Sequence, residues 1–430
     1  MKTINGVKGF HDVVPPQSTR FTEIEGRLRA VLATYNYGEI RIPIAERTEL
    51  FARSLGETTD IVSKEMYSFE DRDGTSLTLR PEGTASVVRA AIEAGLAQRE
   101  QVAKLFYLGP MFRRERPQRG RTRQFHQFGV ELIGRDDPLA DAEVVTLLAD
   151  CLRAAGLTTA ELILNSLGDE ACRPGYRAAL TAYGRAHVDA LCATCRERLD
   201  RNPLRLLDCK EEGCKRVMAD APLVTDHLCH PCRAHFAEVE RLLAAADVPY
   251  RVNPRLVRGL DYYVRTAFEV VAGNLGAQNA VGGGGRYDGL VAALGGPPIA
   301  GIGFAIGLER LLLATEGGGS AADAPAVDVI PLSTEAAPAA VRLARRLRAH
   351  GLRCELEAAG RSLKSAMRRA DKLAARFAVL IGEDELRAGR ATVRDLQRKA
   401  DHPLALAVDA PADALAATLD ALAASGGQGG

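Results

Sequence analysis

The densest chemistry in the sequence lies between Phe112 and Phe128. There Arg113, Arg114, Arg116, Arg119, Arg121 and Arg123 crowd around a single acid, Glu115, for a local charge of +5 over residues 113–123. Guanidinium groups are planar and permanently charged, and they grip carboxylate or phosphate oxygens two at a time. Phe125 adds an aromatic face on which a base can stack. A solvated hairpin in an Arg-rich protein shares this composition. The ordered spacing Phe112-Arg113-x-Glu115 … Arg121-x-x-x-Phe125 points instead to a loop that binds phosphate or a nucleotide.

Other polar groups sit where they need an explanation. Glu82, between Pro81 and Gly83, reads as a carboxylate at a strand end that can pair with an ammonium group, although in isolation an ordinary surface acid is the better reading. Glu131 interrupts the alternating apolar run Gln127–Ile133, where a half-buried carboxylate requires a partner unless it takes the solvent side. Arg258 leads into Asp261-Tyr262-Tyr263. If that segment is a strand, its two tyrosines face opposite sides, one lining a pocket and the other packing or meeting solvent. Gly282–Gly285 admits close approach of backbone to a ligand, although no Walker lysine follows. Gly301-x-Gly303-x-x-x-Gly307 misses the dinucleotide fingerprint by one residue. Arg310, at the start of a helix over 308–313, is either a phosphate ligand or an ordinary surface arginine.

Residues 170–250 hold seven of the nine cysteines. Cys192-x-x-Cys195 and Cys229-x-x-Cys232, 33 residues apart, can build one tetrahedral zinc site with four thiolates, with Cys209, Cys214, His227, His230 and His235 nearby. The alternative is a reduced insertion without metal, and no metal ligand is assigned among the site residues. Cys151, Cys172 and Cys354 read as buried hydrophobes.

These groups need elements to position them. The 430 residues are 47% hydrophobic and 26% charged, enough for two or three domains with a full core and too apolar for a disordered chain. Formal net charge is +1, so nucleic acid can be bound only through local patches. There are 47 Arg against 9 Lys, so a lone Arg carries little weight. No run approaches the ~20 apolar residues of a membrane span. Met1–Phe10 lacks a signal core, and the expected address is cytoplasmic with no membrane partner.

Phe21, Ile24, Leu28 and Leu32 predict a helix. Glu39–Pro43, Thr75–Leu79, Leu105–Leu108 and Phe125–Leu132 predict strands, the last two making the basic loop the tip of a hairpin. Glu316–Ser320 and the Ala/Asp/Pro stretch after it read as a linker. Strand and helix patterns then alternate over 327–422, ahead of a disordered tail. Between Arg342 and Arg376 the charge is +8, and Lys364, Arg368 and Lys372 follow one helix face while Leu363, Met367 and Ala370 can turn inward. Such a face fits a nucleic-acid backbone or plain solvent equally well.

The Phe112–Phe128 pattern resembles motif 2 of the class II aminoacyl-tRNA synthetases. Lys8–Asp12, the helix-strand ending at Pro43 (motif 1), Thr78–Thr84, Leu256–Tyr263, Gly282–Asp288 and Gly301–Arg310 (motif 3) resemble the histidyl family of that class, as does the 362–385 region its anticodon-binding domain. The resemblance implies an α+β fold: an antiparallel sheet flanked by helices, with a helical insertion and a C-terminal mixed-sheet α/β domain. The domains would be catalytic at 1–169 and 251–315, insertion at 170–250, linker at 316–326, anticodon-binding at 327–422 and tail at 423–430.

The implied activity is histidine–tRNA ligation in a homodimer, with ATP, Mg2+, L-histidine and histidine tRNA. Arg113 and Arg258 would carry catalysis by holding the carboxylate and α-phosphate. Glu82, Gly83, Thr84, Gln127, Glu131, Tyr262 and Tyr263 would bind histidine, the imidazole lying between Glu131 and Tyr263. Glu115, Arg121, Phe125 and Arg310 would bind ATP, and Arg116 and Gln118 the tRNA acceptor end. Zinc is not a general requirement of that family. A catalytically dead paralogue, the rival reading, would lack the C-terminal domain and intact motifs.

Overall fold

The structure is a computed structural model that describes residues 4–56, 59, 61–98, 101–275, 279–315 and 326–405. The linker expected at 316–326 (except its last residue), the end of the 327–422 domain and the tail at 423–430 lie outside these residues. The chain divides into two compact units, Met1–Gly318 and Gly319–Gly430. No helix among the described residues is long and apolar enough to cross a membrane.

In chain order the first unit begins with α1 (Gln17–Thr34), β1 (Gly38–Glu39), β2 (Ala45–Arg47), α2 (Thr48–Leu55), β3 (Tyr67–Glu70), β4 (Ser76–Leu79) and α3 (Thr84–Glu93). The hairpin β5 (Ala103–Phe112) and β6 (Gln124–Ile133) follows, then α4 (Pro138–Ala154) and β7 (Glu161–Ser166). Residues 173–245 carry helices and turns without a strand: α5 (Arg173–Ala186), α6 (Ala193–Arg201), α7 (Glu212–Met218) and α8 (His230–Ala245). The chain then returns through β8 (Arg251–Val252), β9 (Val264–Val271), β10 (Ala280–Arg286), α9 (Leu290–Ala293), β11 (Gly301–Gly307) and α10 (Leu308–Ala314).

Eight strands form one sheet in the order β1-β5-β6-β11-β10-β9-β7-β8. Every pairing from β5 to β7 is antiparallel, and only the two-residue edge strands β1 and β8 pair in parallel. The sheet's two faces follow from side-chain alternation. Phe128, Val130 and Leu132 of β6 join Phe304 of β11 and Phe268 of β9 in the main core, covered by α1, α4, α8 and α10. The intervening positions, Phe125, Gln127, Gly129 and Glu131, project to the opposite face, where the site lies. Arg286 ties the layers together at the core's edge. It is fully buried and pairs with Asp141 of α4, which also accepts from His235 of α8 at 2.8 Å.

The strand expected over Glu39–Pro43 is shorter. Only Gly38 and Glu39 pair with β5. Beyond them the carbonyls of Ile42 and Pro43 accept from the Arg80 guanidinium at 2.6 and 3.2 Å, so a side chain replaces the neighbouring strand.

The second unit is a five-stranded mixed sheet, β13-β12-β14-β15-β16. It comprises β12 (Val327–Pro331), α11 (Ala337–Ala349), β13 (Cys354–Leu356), α12 (Leu363–Lys372), β14 (Phe377–Ile381), α13 (Glu383–Ala388), β15 (Arg390–Asp395) and β16 (Ala400–Ala405). The first three sheet strands are parallel and the remainder antiparallel. In α12, Lys364, Arg368 and Lys372 are exposed while Ala366 and Ala370 are buried. Leu363 stays 41% exposed rather than turning inward, because the buried stripe runs through the two alanines and begins a turn later.

Candidate active site

One cavity on the open face of the sheet collects most of the groups singled out by sequence. The β5–β6 hairpin contributes Arg113, Glu115, Arg121, Phe125 and Gln127. The turn into α3 adds Glu82 and Thr84; the segment before β9 adds Arg258, Tyr262 and Tyr263; α10 adds Arg310. Arg116 and Gln118 are exposed on the hairpin tip instead, where a tight turn pairs Gln118 with Arg121.

Each arginine is aimed by a partner. Arg113 donates from Nε to the Pro81 carbonyl at 2.8 Å, and its guanidinium stands 5.2 Å from the centre of the Phe125 ring. Arg258 is bound by the carboxylate of Glu269 on β9. Opposite Glu269 in the register is Gly283, where a Cβ would come within 2.9 Å of the Arg258 guanidinium. The glycine run forms part of strand β10, and the close approach it permits is that of the Arg258 side chain. Arg121 pairs with Glu115 at 3.3 Å. Arg310 donates to the Ala280 carbonyl, and burial followed by the nearby Arg121 charge lowers its pKa. Sequence reasoning missed Glu269, for which only its place on the pocket face of a strand gave a signal.

The two acids differ from expectation in surroundings. Glu82 lies in the turn before α3, not at a strand end, and is only 3% exposed. Its carboxylate accepts from the amides of Thr84 and Ala85 at 2.7 and 2.9 Å, capping the helix start. Burial raises its pKa despite these bonds. Glu131 is fully buried and accepts from Thr84 Oγ1 at 2.7 Å and from Tyr287 Oη at 2.6 Å. It stands directly behind the cavity wall. Burial pushes its pKa up to about 8, against the lowering effect of both hydroxyls. Room for it comes from Gly303, its register partner on β11, where a Cβ would meet the carboxylate at 2.0 Å.

Tyr262 and Tyr263 do not take opposite sides. They precede β9 in a turn, so strand alternation does not reach them; their rings pack 4.6 Å apart and both line the cavity. Behind them Tyr107 of β5 lies fully buried against Gly83 and Gly129, which places Gly83 in the site's floor. Tyr107 and Tyr287 were not foreseen, since a strand tyrosine is usually plain core. Among the described residues, Tyr107 Oη, Tyr262 Oη, Gln127 Oε1 and Arg258 Nε are buried and make no hydrogen bond of normal geometry. Glu309 on α10 was missed too; it holds the His126 amide at 2.9 Å and so fixes α10 against the hairpin.

The cysteines also depart from expectation. Cys192 and Cys195 gather with Cys209 and Cys214, whereas Cys229 and Cys232 gather with Asp169 and Cys172. A single site joining the two Cys-x-x-Cys pairs is thus not formed, because each pair opens a different helix, α6 or α8. Cys172 is buried in a small cluster with Leu228 and Cys232, as expected, and also lies beside Asp169.

The family model described as histidyl-tRNA synthetase matches residues 9–311, and that described as anticodon binding domain matches 326–416. A protein of Trichlorobacter lovleyi named histidine–tRNA ligase is 50% identical over 426 residues, covering 99% of this chain and all of its own. One of the same name from Anaeromyxobacter dehalogenans is 54% identical over 405 residues, 94% of this chain and 97% of its own. The crystal structure of apo histidyl-tRNA synthetase from S. aureus superposes with a TM-score of 0.79 at 36% identity, covering 97% of this chain and all of that one. The chain belongs to the histidyl-tRNA synthetase family.

Proposed function

We propose that this chain, as a histidine–tRNA ligase, activates L-histidine with ATP in the cavity described above and transfers it to the 3′ end of histidine tRNA. The histidine carboxylate attacks the α-phosphorus, a bond forms to one of its oxygens, and pyrophosphate leaves. The terminal ribose hydroxyl of the tRNA then attacks the histidyl carbonyl and AMP departs. No covalent enzyme intermediate is needed, so the protein supplies positioning and charge. Arg113 and Arg258 face the carboxylate and α-phosphate, where negative charge accumulates. Arg121 and Arg310 hold the terminal phosphates. Phe125 stacks on adenine and Glu115 accepts from its amino edge. ATP enters as its magnesium complex, the ion bridging phosphates as part of the substrate.

Glu82, Thr84 and Gln127 bind the α-amino group. Glu131, reached through Thr84, and Tyr263 take the two imidazole nitrogens, with Tyr262 and Gly83 closing the wall. The observation that carries this reading is that Tyr262 Oη and Gln127 Oε1, in side chains lining the cavity, are buried and make no hydrogen bond of normal geometry, beside two buried acids. Unpaired buried groups cost ~1–3 kcal/mol each, and a small polar substrate relieves that cost. Arg116 and Gln118, exposed on the hairpin, meet the acceptor end of the tRNA, and the exposed Lys364, Arg368 and Lys372 meet its backbone. The chain works as a cytoplasmic homodimer joined near Pro43, where Ile44 is 48% exposed. Incubation with labelled histidine, ATP and a histidine-tRNA transcript tests the proposal: acid-precipitable label is expected, and its absence with folded protein refutes it.

A further inference from the structure

The helical insertion has an apolar core of its own, which includes Tyr176, Leu180, Leu199, Leu206 and Met218, and cysteines are set into its edges. Its helices α6 and α7 span nine and seven residues, too short to be stable alone. Their small core includes Cys195 and Cys214 among its buried members, and a second cluster consists of Cys172, Leu228 and Cys232 with Cys229 packed against it.

Two side-chain groups have close-set ligand atoms. The thiols of Cys192, Cys195, Cys209 and Cys214 all lie within 4.8 Å of one another, and so do the ligand atoms of Asp169, Cys172, Cys229 and Cys232. Cys192 and Cys209 sulfurs are 3.9 Å apart. A regular tetrahedron with Zn–S bonds of ~2.3 Å has edges of ~3.8 Å, whereas a disulfide needs ~2.05 Å.

The two groups are also built alike. Cys192 and Cys229 each sit at the N-cap of a helix, with nearly the same backbone angles (φ −66°, ψ 161° and φ −66°, ψ 164°), and the second cysteine of each pair falls in the first helical turn. In each group the amide of that N-cap cysteine donates to the sulfur of a third cysteine, Cys192 N to Cys214 at 3.2 Å and Cys229 N to Cys172 at 3.0 Å. Such N–H···S bonds orient thiolate ligands around a metal. In the second group Asp169 is fixed as well: Oδ1 accepts from the Ala171 amide at 3.1 Å, and Oδ2 lies 3.6 Å from Arg265.

We propose that the insertion binds two zinc ions, one through Cys192, Cys195, Cys209 and Cys214 and one through Asp169, Cys172, Cys229 and Cys232. Tetrahedral sets rich in thiolate select zinc, and all four positions being protein ligands makes both sites structural. The second site lies at the foot of the insertion, joining the segment that enters it to the start of α8. Next to Cys172, Arg173 donates to the carbonyl of Tyr263, which links this site to the cavity wall.

The test uses the full chain, produced in zinc-supplemented medium and purified with a thiol reductant and no chelator. Mass spectrometry of the metal content is expected to give two zinc ions per chain. The double substitution Cys209→Ser with Cys214→Ser is expected to lower this to one, as is Cys172→Ser with Cys229→Ser. Should the variants not fold, titration of Co2+ into the demetallated wild-type chain is expected to give tetrahedral thiolate bands that saturate at two equivalents. One zinc or none in the wild type, iron in place of zinc, or a double variant that keeps both ions would overturn the proposal.

Discussion

The cavity and the insertion belong to one compact unit yet are held in place by different means. The cavity's polar groups stand on a broad antiparallel sheet whose far side is a large apolar core, so strand register sets where each lies. Gly303 leaves room for the Glu131 carboxylate opposite it, and Gly283, opposite Glu269, leaves room for the Arg258 guanidinium that Glu269 binds. The insertion has no strand over residues 173–245; its helices pack on an apolar core of their own, and cysteines gather at the starts of α6 and α8. On the zinc proposal, the first region is positioned by strand register and the second by metal as well as by packing. Perturbations should therefore separate them.

The largest effect is expected at the cavity. Arg258→Ala should lower histidine-dependent ATP–pyrophosphate exchange about 10³-fold, the scale for losing one donor to a developing anion. Its circular dichroism should match the wild type. Near-normal exchange would remove Arg258 from the reaction.

Deleting residues 326–430 should spare the exchange reaction within about twofold while lowering tRNA charging about 100-fold, through lost backbone contacts. Undiminished charging of full-length tRNA would show that the basic face of α12 is only solvated.

Chelation attacks the insertion alone. Calorimetry with a strong chelator should split one thermal transition into two, the first about 10 °C or more below the second, because structural zinc contributes folding energy directly. A single unshifted transition would mean that the insertion is held as the cavity is.

The last prediction concerns Glu131, whose effect is on stability and not on activity. Its folded pKa, up to about 8, exceeds its unfolded value, so its contribution to stability is fully present below about pH 4.5 and is lost as pH rises towards 8. Glu131→Gln carries no such proton. Urea unfolding at several pH values should therefore find the variant gaining on the wild type between pH 5 and 8, by at most about 1.4 kcal/mol per pH unit, and levelling off above. A difference that shrinks with rising pH would contradict the buried setting of this acid.

Much of the site was legible because its residues advertise themselves through cost. Six arginines in one hairpin and a carboxylate inside an apolar strand both demand partners, and motif spacing supplied the rest. What stayed hidden depends on contacts distant in sequence. Tyr287 matters only because its hydroxyl meets Glu131, 156 positions away, and Glu309 only because it holds the His126 amide, 183 positions away. Alternation misled for Tyr262 and Tyr263, since the chain turns before entering β9. The cysteine pairs were visible, but their assortment into two groups was not, because spacing along the chain does not say which helix starts face each other. The sheet and the C-terminal mixed domain followed from periodicity together with the family resemblance.

The central claim is that the cavity recognises its amino acid through buried hydrogen-bonding groups that match the two ring nitrogens of imidazole. It is tested most directly by ATP–pyrophosphate exchange on the unmodified chain, comparing L-histidine with an isosteric amino acid whose ring lacks both nitrogens. A specificity ratio of about 10⁴ or more is predicted, as for sites that leave polar groups unpaired with the wrong substrate. A ratio within about tenfold, the range open to shape alone, would contradict it.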